Sequence, residues 1–144
     1  MTATNIDQAV LSQSEIEIST PSIINYFQTI NQEKFSDTAA LFADNGVLLA
    51  PFEQPITGRK AIALYLEREA SGMQLLPLRE TVTTDDTEAQ QIIIKGKVKT
   101  ALFSVNVAWH FSLDRQQQIT TVKIKLLASP QELLGLQRAK TENN

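Results

Sequence analysis

Three successive runs near the C-terminal end constrain this chain most: AQQIIIKGKVKTALF (89–103), SVNVAWHFSL (104–113) and ITTVKIKLLA (119–128). Each alternates apolar with other residues, the period of a β-strand with one buried face. Val98 and Thr100 share one parity, as do Val107, Trp109 and Phe111, and Val122, Ile124 and Leu126. The opposite parity of the last run, Thr121, Lys123 and Lys125, is a solvent face. Only the polar turn DRQQQ separates the second and third runs, and Gly96 inside the first predicts a bulge or bend. Such a meander is a one-sided antiparallel sheet, and its bulky face needs a cover from elsewhere in the chain.

The cover is helical. STPSIINYFQTINQ starts a helix, with Ser19 or Thr20 as cap, Pro21 in the first turn, and Ile23, Tyr26, Phe27 and Ile30 on one face. FSDTAALFA predicts a second helix over 35–43, capped by Ser36 or Asp37, with Phe35, Ala39 and Phe42 inward. Asp44–Gly46 (DNG) reads as a turn. VLLAPF is a short strand broken by Pro51, and EQPITG is a loop. RKAIALYLEREA is a third amphipathic helix, with Ile62, Tyr65, Leu66 and Glu69 at helical spacing. PLRETVTT is a further strand, followed by an acidic turn, DDTE. In SPQELLGLQRA, Ser129, Pro130 and Glu132 form the start of a closing helix. Helices segregated from a strand meander indicate an α+β fold in which a curved antiparallel sheet wraps the N-terminal helices around an apolar cavity.

At 144 residues the expected organisation is a flexible tail over 1–18 and a single domain over 19–140. The net charge is -3 and no Lys/Arg cluster occurs in the sequence, which argues against nucleic acid. Without cysteine there is no disulfide, thiolate metal site or thiol nucleophile. No run of about 18 apolar residues exists to span a membrane. The first twenty residues lack the Lys, Arg and apolar stretch of a secretory signal. The expected localisation is cytoplasmic.

Strand parity and helix spacing also predict what lines the cavity. Tyr26 and Ile30 come from the first helix, Met73 and Leu75 from the segment after the third. Val98, Thr100, Val107, Trp109, Phe111, Val122, Ile124 and Leu126 come from the strands. Two donors stand out in this apolar list, the Tyr26 hydroxyl and the Trp109 indole N–H. Converging on one oxygen, they would orient an apolar ligand that ends in a carbonyl. The plainer alternative is a pair of core residues whose polar tips bond to backbone.

An enzyme would want a carboxylate or histidine inside, and the inward parities show none. His110, the one histidine, has the outward parity. Asp85, Asp86 and Glu88 sit in a turn, and Glu67 and Glu69 read as surface residues beside Arg68. No phosphate loop or metal-ligand cluster is present.

The segments NYFQTIN, LFADNGVLLAPFEQPITGRKAI, GKVKT, NVAWHF and LLASPQELL, in order from Ser22 to Arg138, resemble the C-terminal domain of the orange carotenoid protein family. The likeness is to the free-standing homologues of that domain, within the NTF2-like fold family. It implies a cone-shaped α+β fold that binds a ketocarotenoid such as canthaxanthin or echinenone. It implies hydrogen bonds from Tyr26 and Trp109 to the pigment's keto oxygen, in a pocket that includes Ile30, Met73, Leu75, Val98, Thr100, Phe103, Val107, Ile124 and Leu126. It further implies a non-enzymatic role in photoprotection: quenching singlet oxygen, and exchanging carotenoid with helical carotenoid proteins. Because a carotenoid is too long for one such pocket, a homodimer sharing the pigment is expected. Two places depart from the family. TALFSVNVAW lacks the Pro-Trp-Phe that follows the threonine matched by Thr100, and Lys125 replaces an aspartate. Both regions face the helical domain of full-length members, so a full-length type of light switch is not expected here.

Overall fold

The computed structural model describes residues 18–84 and 90–127. The first helix, α1 (Pro21–Asn31), starts at Pro21 because a ring without an N–H costs nothing in a first turn. Thr20 precedes it, but its side chain makes no capping bond; its backbone carbonyl instead accepts from Ile23 and Ile24. Ile23, Tyr26, Phe27 and Ile30 are buried along one face, as the spacing predicts.

The second helix is shorter than expected. α2 (Phe35–Ala40) follows Lys34, with neither Ser36 nor Asp37 as cap. Phe42 is buried as predicted, but it opens the first strand, β1 (Phe42–Leu49). The expected Asp44–Gly46 turn is also corrected, since these residues lie inside β1. Five steps of β1, from Phe42 to Val47, run beside two steps of the neighbouring strand, from Ile119 to Thr121. The Asn-Gly pair therefore makes an irregularity within the strand rather than a reversal. A side chain at Gly46 would come within 2.9 Å of Phe42 and 3.0 Å of the Ile119 carbonyl.

The loop before the third helix contains a two-residue strand, β2 (Ile56–Thr57), which pairs with β1. α3 (Arg59–Glu69) follows, and Arg59 ties its start to β1, donating from Nε to the Phe42 carbonyl (2.8 Å) and pairing with Asp44 (2.6 Å). β3 (Gln74–Thr84) begins earlier than PLRETVTT suggests. The Asn31 side chain acts as its first partner, accepting from the Leu75 N–H (2.8 Å) and donating to the Leu75 carbonyl (2.9 Å). β4 (Gln90–Lys99), β5 (Ser104–Leu113) and β6 (Ile119–Leu126) complete a six-stranded sheet in the order β2-β1-β6-β5-β4-β3. Every pairing is antiparallel except β1 with β6.

The sheet's irregularity near Gly96 lies on its partner. Pro77 pairs with Gly96 and Arg79 with Lys95, so Leu78 is the extra residue, on β3. At that kink β3 approaches β4 so closely that a Cβ at position 96 would stand 2.1 Å from the Leu76 carbonyl oxygen. The core lies between α1 and the concave sheet face, where Ile92, Ile94, Trp109, Phe111 and Val122 meet Ile23, Tyr26 and Phe27. The expected tail, the DDTE turn and the closing helix from Ser129 lie outside the described residues.

Candidate functional site

α1 and β5 carry the two donors singled out in the sequence. Tyr26 and Phe27 are consecutive, and both fall on the face of α1 that packs against the sheet. The Phe27 ring meets the Trp109 indole edge to face, with centroids 4.8 Å apart. The Tyr26 ring packs edge to face on Phe27 (5.3 Å) and on Phe111 (5.0 Å). This lattice of perpendicular rings, the arrangement aromatic quadrupoles favour, fixes the carbon frames of Tyr26 and Trp109. Both residues are buried. Among the described residues, no hydrogen bond is made by the Tyr26 hydroxyl or the Trp109 N–H, and neither belongs to the sealed, unpartnered atoms, where Gln90 Oε1 stands alone. The two polar tips therefore face open space.

That space is a cavity of about 320 Å³. Tyr26 and Ile30 line it from α1, Met73 from just before β3 and Leu75 from its start. Val98, Thr100 and Phe103 line it from the end of β4 and the turn beyond, Val107 and Trp109 from β5, and Ile124 and Leu126 from β6. The described structure thus brings all eleven sequence-predicted pocket residues around one void. Phe111 and Val122, expected on the same wall by parity, are fully buried behind it and do not line it.

Other walls were not foreseen. Leu48, Pro51 and Phe52 contribute from β1 and the residues after it, Val105 from β5, and Tyr65, Leu66 and Glu69 from α3. Glu69 requires a correction: expected on the surface, it keeps a partly exposed side chain (34%) but also lines the cavity, so one carboxylate borders the void. Its partner is Arg68, whose Nε lies 3.1 Å away. The i, i+4 spacing of Tyr65 and Glu69 on α3, already visible in the sequence, is the signal that places both on one face.

The cavity runs from a closed end to an open one. Tyr26, Trp109 and Leu48 are buried, whereas Phe52 is 48% and Phe103 39% exposed. Electrostatics agree with a dry interior. Burial pushes the pKa of the Tyr26 hydroxyl above its usual range, and the neighbouring Tyr65 adds to the shift. Tyr65 is raised as well, by burial and then by Glu53 and Glu69, with Arg68 opposing. Both phenols thus remain protonated donors throughout the ordinary pH range.

His110 lies on the outer sheet face, as its parity requires, paired with Ile93 and Lys123. Partial desolvation, then Lys125, Lys123 and Lys95, lower its pKa. The sheet also gathers Lys95, Lys97, Lys123 and Lys125 onto this face, a basic cluster not evident in the linear sequence. Among the described residues no group of three or more His, Cys, Asp or Glu could hold a metal, and no helix is long and apolar enough to cross a membrane.

Comparison with known proteins agrees with this architecture. Residues 22–125 match the Nuclear transport factor 2 (NTF2) domain. The orange carotenoid-binding protein of Synechocystis sp. is 33% identical over 137 residues, 92% of this chain and 43% of the relative. That of Limnospira maxima is 32% identical over 123 residues, 83% of this chain and 39% of the relative. The chain thus spans less than half the length of these relatives. The solved structure of the Anabaena (Nostoc) sp. orange carotenoid protein binding canthaxanthin superposes with a TM-score of 0.75 and 38% identity, over 85% of this chain and 41% of that one. A putative polyketide cyclase from Sinorhizobium meliloti shares the fold alone, with a TM-score of 0.64 at 17% identity, over 74% of this chain and 95% of that one. Six strands curved around the helices, an apolar cavity beneath them and a domain match across most of the described residues lead to one conclusion: the chain belongs to the NTF2 domain family and is a homologue of the part of orange carotenoid-binding proteins that it spans.

Proposed function

We propose that this chain is a non-enzymatic ketocarotenoid carrier. One observation carries the reading: two buried donors, the Tyr26 hydroxyl and the Trp109 N–H, open onto an apolar cavity with no partner among the described residues. A keto oxygen at the end of a polyene supplies the acceptor that both lack. Burying the ring that carries it contributes a few kcal/mol, at roughly 25 cal/mol per Å². Each hydrogen bond adds about 1 kcal/mol and fixes orientation. Donors bonded to the carbonyl in a dry site also polarise the conjugated system and move its absorption to the red. Similarity to a canthaxanthin-binding relative supports the same ligand class, canthaxanthin, echinenone or a related ketocarotenoid.

A cavity of about 320 Å³ takes one end of such a molecule and leaves the rest to a second protein. A homodimer gripping both ends covers it, and a helical carotenoid protein that buries it better receives it. Quenching of singlet oxygen by the bound polyene, in the cytoplasm, is the photoprotective role that follows. Expression in a ketocarotenoid-producing host tests the reading: a coloured, red-shifted protein is expected, and a colourless one that takes up no pigment overturns it.

Glu69 favours a second reading, an isomerase- or cyclase-type enzyme acting on an apolar ring substrate. In it the carboxylate moves a proton at the carbon beside a carbonyl held by Tyr26 and Trp109. Solvent deuterium entering that carbon of a cyclic ketone, and ceasing in Glu69→Gln, would decide for the enzyme.

A further inference from the structure

Around the open end of the cavity, the surface combines two features that pigment binding alone does not require. The first is an apolar tip. The turn between β4 and β5 presents Leu102, 78% exposed, beside Phe103. The turn is built rather than slack: the Thr100 Oγ1 accepts from the N–H groups of Leu102 (3.2 Å) and Phe103 (3.1 Å), and the Thr100 N–H donates to the Phe103 carbonyl (2.8 Å). Leu102 is therefore held out in water by a defined turn. Phe52 and Leu127 add further exposed apolar surface; Phe52 lines the opening, and the Leu127 N–H donates to Asn106 on β5.

The second feature is a patch of cations on the outer side of the same strand ends. Lys99 pairs with Ser104 at the base of the turn, Lys97 with Asn106 two pairs further along, and Lys125, on β6, with Ala108. All three lysines are exposed. β4, β5 and β6 contain no acidic residue to offset them. The chain as a whole carries a charge of -3, so this face runs against its overall sign.

We propose that this end of the molecule docks on an anionic lipid bilayer, with Leu102 and Phe103 entering the interface and Lys97, Lys99 and Lys125 meeting the headgroups. An exposed apolar tip flanked on its outer sheet face by cations is the chemistry of a peripheral membrane contact. Docking there sets the cavity's opening against the phase in which a water-insoluble polyene dissolves. In its purpose the proposal rests on the carrier reading; in its physics it does not. A second copy is the competing occupant, but it would have to place acidic groups opposite all three lysines.

The test uses pigment-free full chain and carotenoid-free vesicles, so it reads docking separately from pigment binding. Co-sedimentation is expected with vesicles of equal parts phosphatidylcholine and phosphatidylglycerol, and not with phosphatidylcholine alone. The double variant Lys97→Glu/Lys99→Glu lowers partitioning by at least about 30-fold, on the scale of two lost headgroup contacts. Leu102→Ser weakens it too, and added salt reverses it. All three side chains are exposed, so the variants keep the parent's thermal unfolding. Absence of binding, or equal binding to neutral and anionic vesicles, overturns the proposal. So does a Leu102→Ser variant that changes a dimer to a monomer while vesicles bind neither form. A protein that docks yet takes no ketocarotenoid from detergent sinks the carrier reading and leaves the docking intact.

Discussion

The Phe27 ring stands at 84° to the Trp109 indole, with centroids 4.8 Å apart, and at 86° to the ring of its own neighbour Tyr26. One side chain without polar atoms thus sets the positions of both donors at the closed end of the cavity.

Phe27→Ala removes that spacer. The loss is expected to cost about 3–5 kcal/mol of stability, the range for deleting a buried phenylalanine. Denaturant unfolding of the variant measures it as a lower midpoint at unchanged slope.

Tyr26→Phe separates the two roles of the phenol. With no partner among the described residues to lose, the pigment-free variant should unfold at the parent's midpoint or slightly above it, since removing an unpaired buried hydroxyl is neutral or stabilising. Retention of a ketocarotenoid should fall about five-fold, the equivalent of one hydrogen bond near 1 kcal/mol. Trp109→Phe should likewise weaken retention and shift the absorption to the blue. Unfolding midpoints and titration of pigment into each variant check both effects, and an unchanged spectrum in Trp109→Phe removes that residue from the clamp.

Gly96→Ala meets a backbone oxygen that no rotamer can move aside, 2.1 Å from the new Cβ. The expected loss is at least the roughly 3 kcal/mol typical of severe overpacking. Ala at Gly72, which has φ +83° but nothing within 4 Å, carries conformational strain alone and should cost less. Comparing the two unfolding midpoints tests the cause.

The His110 pKa is depressed below 6.5 by partial desolvation and by Lys125, Lys123 and Lys95. Between the folded and unfolded values, the unfolded chain binds a proton that the folded one does not. Stability therefore falls as the pH drops through that window and is fully present above it. Proton NMR of the single imidazole should show a midpoint below 6.5 that rises in Lys123→Gln/Lys125→Gln. His110→Gln should flatten the dependence of the unfolding midpoint on pH below 6.5.

Much of this site could be read from the chain because a strand's alternation is local. The pleat alone puts Val107 and Trp109 on one face and Lys123, Lys125 and His110 on the other, whatever the sheet later packs against. Helical spacing does the same for Tyr26 and Ile30 along α1. Local rules fail where a neighbouring strand intervenes. Asn45-Gly46 has the composition of a reversal, yet its place beside β6 makes it an irregularity within β1, and Phe42 moves with it from helix to strand. Parity also stops at the face: it sends Phe111 and Val122 inward with Trp109, but cannot say that α1 seals them while the cavity opens further along the same strands. Glu69 and Tyr65 were visible as one side of a helix. Whether that side met water or the void depended on how α3 is rolled against the sheet, set by distant contacts such as Arg59 with Phe42 and Asp44. Sequence determined which residues share a face, because that follows from backbone geometry within one element; only the tertiary structure decided which faces enclose empty space, because a cavity is a property of several elements packed at once.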